Sequence, residues 1–419
     1  QARPITALPE PMAEPPESWP LPDPEGHYMR TSIIDVMPDP LSPLFASMAL
    51  PAIGEGLQHT LDEMIGGSLS LVDDYLVTIN DYAYMSAKFT AGDLWWSLVR
   101  MTPALPRLLN NAARHWEEAA LPRYRQQVAP WEDRDPESMG PCELLEGAQA
   151  LTEAMGRYLT TLKIDTLGIA AGTEMLFTKV YDRLIKREGD PPAATFLLGT
   201  DSLPIQAEKA LFDLAVWCRE DEDLSTYVQR TRQDDMADRT SRPEPPETVA
   251  TQTWTAWRKR FDAHLKAYGH SIYDLDFAKP IPAHDPRPLL QTLKVFVRDD
   301  KRNPYARQQR LLNRREEAME TVRDRVGGLR WKVFDKTHSW ARKHTRLRED
   351  SIAEIGLAYP PLRGMLLELG RRLSEVGATN APEDVFWLEH AEVRDLADAV
   401  EQGKSLESLD ERVQARKRQ

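Results

Sequence analysis

The spacing of apolar residues is the feature that most constrains the fold of this chain. From Thr90 onward, apolar side chains recur three and four residues apart with charged residues between them, as in "CELLEGAQALTEAMGRYLTTLKI" and "AEKALFDLAVWCREDEDLSTYVQRT". This spacing places the apolar side chains on one face of an α-helix. We therefore predict a mainly α-helical protein, in which nearly every segment after Thr90 is helical.

The most regular pattern lies near the C-terminal end. Apolar residues alternate steps of three and four from Ile352 to Val376, and Pro360-Pro361 lies inside this run. Because proline lacks a backbone N–H and its ring clashes with the preceding turn, we expect the two prolines to kink or split the helix. The pattern covers only about three heptads, so we interpret it as a face directed at the core rather than as a dimerising coiled coil.

Three other segments carry patterns that are not helical. Residues 68–88 are rich in Val, Ile, Leu and Tyr, with Asn80-Asp81 between two short runs, which predicts a small β-hairpin. Prolines recur through residues 1–43 and predict an extended connector that is not a packed element, because proline fixes φ and removes a donor. The polar stretch "DRTSRPEPPET" (238–248) predicts an exposed loop.

Composition and charge narrow the classes of function. The net charge of -13 argues against nucleic-acid binding, which needs a basic face. No apolar run approaches the ~20 residues that span a bilayer, so we predict no membrane partner. Cys142 and Cys218 lie far apart and imply neither a disulfide framework nor a thiolate zinc site. With no leader peptide, we expect a cytoplasmic protein.

The sequence lacks the common motifs for nucleotide binding and hydrolysis. It contains no P-loop and no Gly-x-Gly-x-x-Gly motif. It also contains neither a Gly-x-Ser-x-Gly elbow nor a His-Glu-x-x-His helix. Composition and motifs alone therefore lead no further than a helical protein.

Seven segments in a fixed order nevertheless carry a resemblance. They are "QARPIT" (1–6), "DVMPDPLSPL" (35–44), "ATFLLGTDSLPIQAEKALFDLA" (194–215), "YGHSIYDLDFAKPIPAHDPRPLL" (268–290), "LRED" (347–350), "LELGRRL" (367–373) and "PEDVFWL" (382–388). The first resembles the last strand of the ATP-grasp domain in the phosphoenolpyruvate synthase and rifampicin phosphotransferase family. The other six are similar to the central domain of the rifampicin phosphotransferase group.

The resemblance implies a protein of several modules. Such enzymes have an ATP-grasp domain, an acceptor-binding domain and a mobile domain with a phosphorylated histidine. They convert ATP, an acceptor hydroxyl and water into AMP, Pi and a phosphorylated acceptor. By this resemblance, residues 1–25 are the tail of an ATP-grasp domain and a Pro-rich linker. Residues 26–419 are then a helical acceptor-binding domain, which could divide internally near 238–250.

The resemblance also implies cofactors and partners. Gln1 and Arg3 match the family's Gln-x-Arg signature, in which Gln helps to hold the Mg²⁺ of the nucleotide and Arg meets phosphate. ATP and Mg²⁺ would be bound mainly by a module absent from this chain. The partners would be an ATP-grasp domain or subunit, a mobile phosphohistidine domain or subunit, and a small hydroxyl acceptor. We expect the isolated chain to be inactive.

Three residues are the candidate catalytic groups of the central domain. Arg348 and Glu349, in the Leu-Arg-Glu segment, are predicted to supply a cation for the transferring charge and a carboxylate. His270 is the candidate general base, because a histidine is neutral near pH 7 and Gly269 permits a close approach. An exposed charged pair and a structural histidine are the alternatives. Family members commonly carry a basic residue one turn after this Arg, where this chain has Ile352, which puts the family's usual acceptor in doubt.

Other residues could support this chemistry. Asp274 and Asp276 alternate like strand residues and could orient His270, although exposure to solvent is the simpler interpretation. Several tryptophans could line an aromatic acceptor pocket, although Trp at helical spacing is more often part of a core. These are Trp95, Trp96, Trp217, Trp254, Trp257 and Trp340.

Three hypotheses for the function follow. The chain is the acceptor-binding domain of an ATP-dependent phosphotransferase whose acceptor is a rifamycin, or the same domain with a phenol as the acceptor. Alternatively, it is a phosphoenolpyruvate-synthase-like linker domain or a non-catalytic helical scaffold that kept the fold. The first two hypotheses require the missing modules, in cis or in trans, and the scaffold does not.

Overall fold

The computed structural model of the chain describes residues 21–30, 33–34, 36–65, 75–86, 111–240 and 242–418. Fourteen α-helices and a small antiparallel sheet lie in these ranges, so the predicted mainly α fold is confirmed. None of the helices described is long and apolar enough to cross a membrane. Gln1, Arg3, Trp95 and Trp96, for which the sequence predicts roles, lie outside the described residues.

The α-helices are numbered here in chain order. They are α1 (Pro43–Ile65), α2 (Leu121–Glu132), α3 (Pro141–Leu162), α4 (Gly168–Val180), α5 (Leu203–Arg219), α6 (Glu222–Arg230), α7 (Gln233–Thr240), α8 (Thr251–Tyr268), α9 (Arg287–Arg298), α10 (Pro304–Arg323), α11 (Gly328–Ala353), α12 (Tyr359–Glu375), α13 (His390–Glu401) and α14 (Asp410–Arg418).

Three wider π turns interrupt or extend these helices. They are Trp116–Ala120, Lys163–Leu167 and Tyr181–Ile185. The second joins α3 directly to α4, and the third follows α4, so the backbone is helical without a break from Pro141 to Ile185. Short 3₁₀ segments occur at Pro136–Ser138, Ala193–Leu197, Asp300–Arg302, Ile355–Ala358 and Pro382–Trp387.

The predicted hairpin is present and belongs to a three-stranded sheet. Strands β2 (Leu76–Ile79) and β3 (Tyr82–Ser86) pair antiparallel, with Leu76 opposite Met85 and Ile79 opposite Tyr82. Asn80 and Asp81 between them have φ of 50° and 60°, the left-handed conformation that tight hairpin turns require. A third strand, β1 (Tyr28–Met29), pairs with the other edge of β3.

The N-terminal part of the described chain differs from the prediction. The connector predicted over residues 1–43 is packed in its last part, because the apolar side chains of Ile33, Met37 and Leu41 reach the main core between the prolines. Helix α1, which precedes Thr90, was not predicted. Pro51 and two glycines inside it weaken the helical signal in the sequence.

The two prolines near the C-terminal end divide two helices, as predicted. Helix α11 ends at Ala353, one 3₁₀ turn follows, and α12 begins at Tyr359 with Pro360 and Pro361 in its first turn. Proline is tolerated there because the first N–H groups of a helix have no partner within the helix. The predicted face is buried, since Tyr359, Leu362 and Leu366 are all inaccessible to solvent.

Three hydrophobic clusters hold the helices together. The largest joins α1, α2, α3 and α12 with the C-terminal helices. The second joins α5 to α9 and contains the residues on both sides of the 238–248 stretch, in which residues 242–248 form a mostly exposed loop. The third is aromatic and joins α4, α10 and α11 around Phe177, Phe196 and Phe334.

Candidate functional site

The candidate site is a cavity beside His270, which we call the His270 cavity. Its volume is about 520 Å³, and it lies where the ends of α2 and α8 meet the start of α12. The apolar part of its wall includes Trp131, Leu265, Leu357, Pro360 and Met365, and the charged residues that line it are Glu132, Asp133, Arg134 and Lys266. Sites for drug-sized molecules have volumes of about 300–1,000 Å³ and mostly apolar walls with a few polar groups. The His270 cavity has these properties.

Local backbone bonds fix His270 at the wall of this cavity. Helix α8 ends just before it, and the Gly269 N–H donates to the Leu265 carbonyl oxygen at 2.7 Å. The Gly269 carbonyl oxygen accepts from the Ala283 N–H at 2.9 Å. On the other side, Gly356 packs directly on the His270 carbonyl group, and any side chain at this glycine would clash with it. The backbone of His270 is therefore held between α8 and the turn that follows α11.

A buried carboxylate lies next to the His270 ring. The distance between His270 Nε2 and Glu354 Oε2 is 3.9 Å, and Glu354 Oε1 accepts from the Arg125 guanidinium at 3.3 Å. Glu354 Oε2 is buried and has no hydrogen-bond partner among the described residues. A small movement would bring it within hydrogen-bond distance of the imidazole. The pair then has the arrangement of a histidine base with an orienting carboxylate.

The position of Glu354 is also fixed by the turn that follows it. The Tyr124 hydroxyl donates to the Ile355 carbonyl oxygen at 2.7 Å and accepts from the Ala358 N–H at 3.2 Å. Tyr124 is fully buried and stacks on Tyr158 with 4.5 Å between the ring centroids. This packing holds the residues next to Glu354 against α2 and α3.

Burial determines the charges at this site. It lowers the pKa of His270 to about 4, with a smaller contribution from the Arg125 charge, so the ring is neutral at pH 7. Burial also raises the pKa of Glu354, and Arg125 opposes this increase. A neutral imidazole can accept a proton. A pKa of about 4 nevertheless makes it a weaker base than one tuned to neutral pH.

Arg348 and Glu349 lie apart from His270. The Arg348 guanidinium faces α4, where it lies 3.6 Å from Glu174, and both side chains are partly exposed. Glu349 is half-buried and makes no ion pair with the described residues. Arg348 precedes Glu354 by six residues, or about 9 Å along a helix. The His270 cavity is lined by neither Arg348 nor Glu349.

Asp274 and Asp276 are buried in turns and hold the fold together instead of orienting His270. Asp276 accepts from the Ser42 N–H at 2.6 Å and from the Ser42 hydroxyl at 2.8 Å, at the start of α1. Asp274 accepts from the Asp276 N–H at 2.9 Å and pairs with Lys279. The interpretation that these carboxylates are exposed is wrong, because both are more than nine-tenths buried.

The predicted tryptophans that the structure describes, Trp217, Trp254, Trp257 and Trp340, do not line the His270 cavity. Trp254 and Trp257 stack on each other inside the second cluster, with 4.9 Å between their centroids. Trp217 and Trp340 pack against the cations of Arg260 and Lys336. The aromatic wall of the cavity comes from Trp131, which the sequence analysis did not select.

The sequence analysis also missed Glu354 and Arg125. They lie 84 and 145 residues from His270 along the chain, and no spacing rule connects them. Among the described residues, no group of three or more His, Cys, Asp or Glu side chains could hold a metal ion. The predicted metal ligand Gln1 lies outside the described residues.

Comparison with known proteins finds a family model that matches part of the chain. Residues 167–349 match the family model described as the rifampicin phosphotransferase fourth domain. This stretch, less than half of the chain, is similar to that domain. No curated protein matches the chain in sequence. The rifampicin phosphotransferase stretch extends from the end of the π turn before α4 into α11, and it includes His270, Arg348 and Glu349. Arg125, Trp131 and Glu354 lie outside it.

Proposed function

We propose that this chain is the acceptor-binding domain or subunit of an ATP-dependent phosphotransferase and that the His270 cavity holds the acceptor. The observation that carries the proposal is a neutral histidine at the wall of a largely apolar cavity of ligand size, within a stretch similar to the rifampicin phosphotransferase fourth domain. The apolar wall, with Trp131, suits the aromatic part of either predicted acceptor, a rifamycin or a phenol.

In this proposal, His270 removes the proton of the acceptor hydroxyl. The acceptor oxygen forms a bond to the phosphorus of a phosphohistidine, carried by a mobile domain or subunit, and the phosphorus–nitrogen bond breaks. The proton passes to the imidazole of His270, and the carboxylate of Glu354 stabilises the cation that results. A shorter His270–Glu354 distance in the complex with acceptor would raise the basicity of His270 toward neutral pH.

The remaining predicted residues serve the parts of the reaction that take place outside this cavity. Arg348 and Glu349 are half-exposed on α11 and remain candidates for contact with the phosphoryl group delivered by the partner. Gln1 and Arg3 would contribute to the site for ATP and Mg²⁺ on the ATP-grasp module. When bound there, Mg²⁺ neutralises phosphate charge during the formation of the phosphohistidine.

One observation favours a non-catalytic alternative. The depressed pKa of His270 and its fixed backbone also fit a structural histidine, packed between α8 and the turn after α11. In that case, the chain would be a scaffold or linker domain, and the cavity would bind no acceptor.

A substitution that fills the His270 cavity distinguishes the acceptor-binding domain from the non-catalytic scaffold. Gly364 lies on α12 at the cavity wall, and the nearest atom to a side chain placed there is Pro136 Cγ at 3.9 Å. Gly364→Trp should therefore fill the cavity without overlapping the backbone. We expect a rifamycin or phenol to bind the unmodified chain without nucleotide, with a Kd in about the micromolar-to-millimolar range. Gly364→Trp should weaken this binding at least tenfold in calorimetry.

Gly172→Trp provides the matched control. Gly172 is exposed on α4, and an added Cβ there would meet no atom within 4 Å outside its own stretch of helix, so the same substitution should leave binding unchanged. Equal acceptor affinity in the Gly364→Trp and Gly172→Trp variants would show that the acceptor does not occupy the His270 cavity. If the unmodified chain binds neither a rifamycin nor a phenol, the scaffold alternative is correct.

A further inference from the structure

A second and larger cavity lies between α10 and α11, and we call it the arginine cavity. Its volume is about 890 Å³. One face of α11 lines the cavity, with residues such as His338, Arg342 and Arg346 spaced four apart. The loop 199–201 forms another side of the cavity. Most of the lining residues belong to the stretch 167–349. None of them lines the His270 cavity.

Of two neighbouring arginines, Arg342 lines this cavity and Arg315 lies beside it. The Nε atom of Arg342 is buried and has no hydrogen-bond partner among the described residues. Arg315 is 9% exposed, and among the described residues its guanidinium donates to the Leu198 carbonyl oxygen at 3.0 Å. On α10, Arg315 lies three residues after Leu312 and four before Met319, which both line the cavity, so it falls on the same face of the helix. Neither guanidinium makes an ion pair with the described residues.

The carboxylates at the cavity do not neutralise this pair. Asp201 pairs with Lys209 at 2.7 Å. Asp350 pairs with Arg346 at 3.3 Å and accepts from the Leu203 N–H at 2.7 Å. The other charged groups of the wall are Glu117, Asp335 and Lys343, which are exposed to solvent and make no ion pair with the described residues.

The position of Arg342 disfavours its charged form. Burial lowers the pKa of Arg342, and the charge of Arg315 lowers it further. Buried charges are ordinarily paired, because an isolated buried charge is costly. A guanidinium presents parallel N–H donors that match the two oxygens of a carboxylate or phosphate. An oxyanion in the cavity would compensate the charge of Arg342 and give its free Nε–H an acceptor.

The rest of the wall indicates what the oxyanion is attached to. Trp116, Leu312, Met319 and Leu347 form an apolar part of the lining. Because the cavity is far larger than a free phosphate ion, a ligand that fills it has an apolar body as well as an anionic group. The Trp116 ring is fixed by a hydrogen bond from its Nε1–H to the Tyr158 hydroxyl at 2.8 Å, which makes it a rigid surface for an aromatic ring.

We infer that the arginine cavity binds a small organic anion, with its phosphate or carboxylate group on Arg342 and its aromatic or aliphatic body against Trp116 and Leu312. This site is separate from the proposed acceptor site, and the inference does not depend on the proposed function. None of the described residues that were selected from the sequence as candidate site residues lines the arginine cavity.

The test compares four probes on the full chain by calorimetry: phenyl phosphate, benzoate, phenol and inorganic phosphate. We expect phenyl phosphate or benzoate to bind at least tenfold more tightly than phenol, which lacks the charge, and than inorganic phosphate, which lacks the ring. The tighter of the two anions identifies the oxyanion that the cavity prefers. Binding of inorganic phosphate as tight as that of phenyl phosphate would overturn the assignment of an apolar body.

The Arg342→Met variant tests the proposed contact. We expect it to weaken binding of the tighter anion at least tenfold. Because it removes a partly buried charge whose Nε atom has no hydrogen-bond partner among the described residues, it should unfold at the same temperature as the unmodified chain or at a higher one. Arg330→Met, at an exposed position of α11 outside the cavity, is the matched control and should bind like the unmodified chain. Unchanged anion affinity in Arg342→Met, or an equal loss in Arg330→Met, would overturn the inference.

If Arg342→Met lowers the unfolding temperature, Arg342 is a structural residue, and that result also counts against the inference.

The His270 cavity provides an internal check on the location of the bound anion. The Gly364→Trp variant fills that cavity and should leave the affinity for the anion unchanged. A loss of anion binding in Gly364→Trp would place the anion in the His270 cavity instead.

Discussion

The chemistry of His270 depends on residues that are distant in the sequence. The sequence identifies His270 as a candidate base because of its neutral form near pH 7 and its glycine neighbour. It does not indicate that Glu354 lies 3.9 Å away or that burial lowers the pKa of His270 to about 4. Both properties arise from the way α2, α8 and the turn after α11 pack together. At the scale of single residues, the type of side chain could be predicted, but its neighbours and protonation could not.

Replacement of His270 tests its role as a base. In the complete enzyme, with its partner modules restored, His270→Gln should lower kcat by roughly 10²–10⁴-fold, the usual effect of losing a general base. Glutamine retains hydrogen-bonding capacity, so the fold should persist. Steady-state kinetics measures kcat, and circular dichroism measures whether the helical fold persists.

His264→Gln is the control for this substitution. His264 is buried on α8, and its pKa is lowered to about 4, as is that of His270. Unlike His270, it does not line the cavity. Its replacement should leave kcat within about threefold of the unmodified enzyme. Comparable losses of kcat in both variants would mean that the effect is structural and that His270 is not the base.

At the scale of elements, the apolar spacing predicted most helices but not all of their ends. The break before Pro360-Pro361 was predictable, because the local geometry of proline decides it. Helix α1 was not, because Pro51 and its glycines weaken the local signal, and packing against α3 determines the outcome. The packed residues Ile33, Met37 and Leu41 were missed for a similar reason. Their burial depends on contacts with helices far along the chain.

The crossing of α1 and α3 depends on glycine. A side chain at Gly156 would approach the Ala52 carbonyl oxygen to 2.9 Å, and one at Gly56 would approach the Gly156 backbone to 3.0 Å. Gly156→Leu should therefore lower the free energy of unfolding by roughly 1–3 kcal/mol, since the helices must separate. Urea unfolding measures the change. The exposed Gly172→Leu should instead be neutral or stabilise by up to about 1 kcal/mol, because leucine favours helix.

If Gly156→Leu were more stable than Gly172→Leu, the result would be inconsistent with a close approach of α1 and α3. The same two variants also separate propensity from packing. If Gly156→Leu stabilises the protein as much as Gly172→Leu does, helix propensity dominates at both positions.

At the scale of the whole molecule, the three hydrophobic clusters place several histidines in buried positions. Burial lowers the pKa values of His264, His270 and His284 to about 4, and it lowers those of His338 and His390 as well. The sequence shows nine scattered histidines and a negative net charge. It does not show which histidines are buried, because that depends on how the clusters form. The response of the folded protein to acid therefore could not be predicted from composition.

These lowered pKa values predict acid sensitivity with a definite sign. The unfolded chain binds protons at its histidines below about pH 6.5, whereas the folded chain binds them at His264, His270 and His284 only near pH 4. The contribution of these histidines to the free energy of unfolding is therefore fully present above about pH 6.5. It decreases as the pH falls from 6.5 toward 4. A tenfold difference in proton affinity corresponds to about 1.4 kcal/mol, so one such histidine contributes a loss of up to about 3 kcal/mol at pH 4.

Urea unfolding at pH 7, 6 and 5 measures this loss in a range where most carboxylates do not titrate. His264→Gln should reduce the dependence of the free energy of unfolding on pH between 7 and 5. Replacement of His27, which is exposed, by Gln should not. An unchanged pH dependence in His264→Gln would mean that the folded protein accepts a proton at this histidine near its ordinary pKa.

The three π turns have a consequence for how the chain tolerates changes of length. A π turn contains one more residue than an α turn in the same helix, so its extra residue bulges while the residues before and after keep their faces. Removing one residue from Lys163–Leu167 would convert the bulge into ordinary helix and leave α3 and α4 facing their present neighbours. Removing one residue from the middle of α3 would rotate everything beyond it by about 100°. Homologous chains should therefore gain or lose single residues at the π turns, and alignments of such chains should place their gaps there.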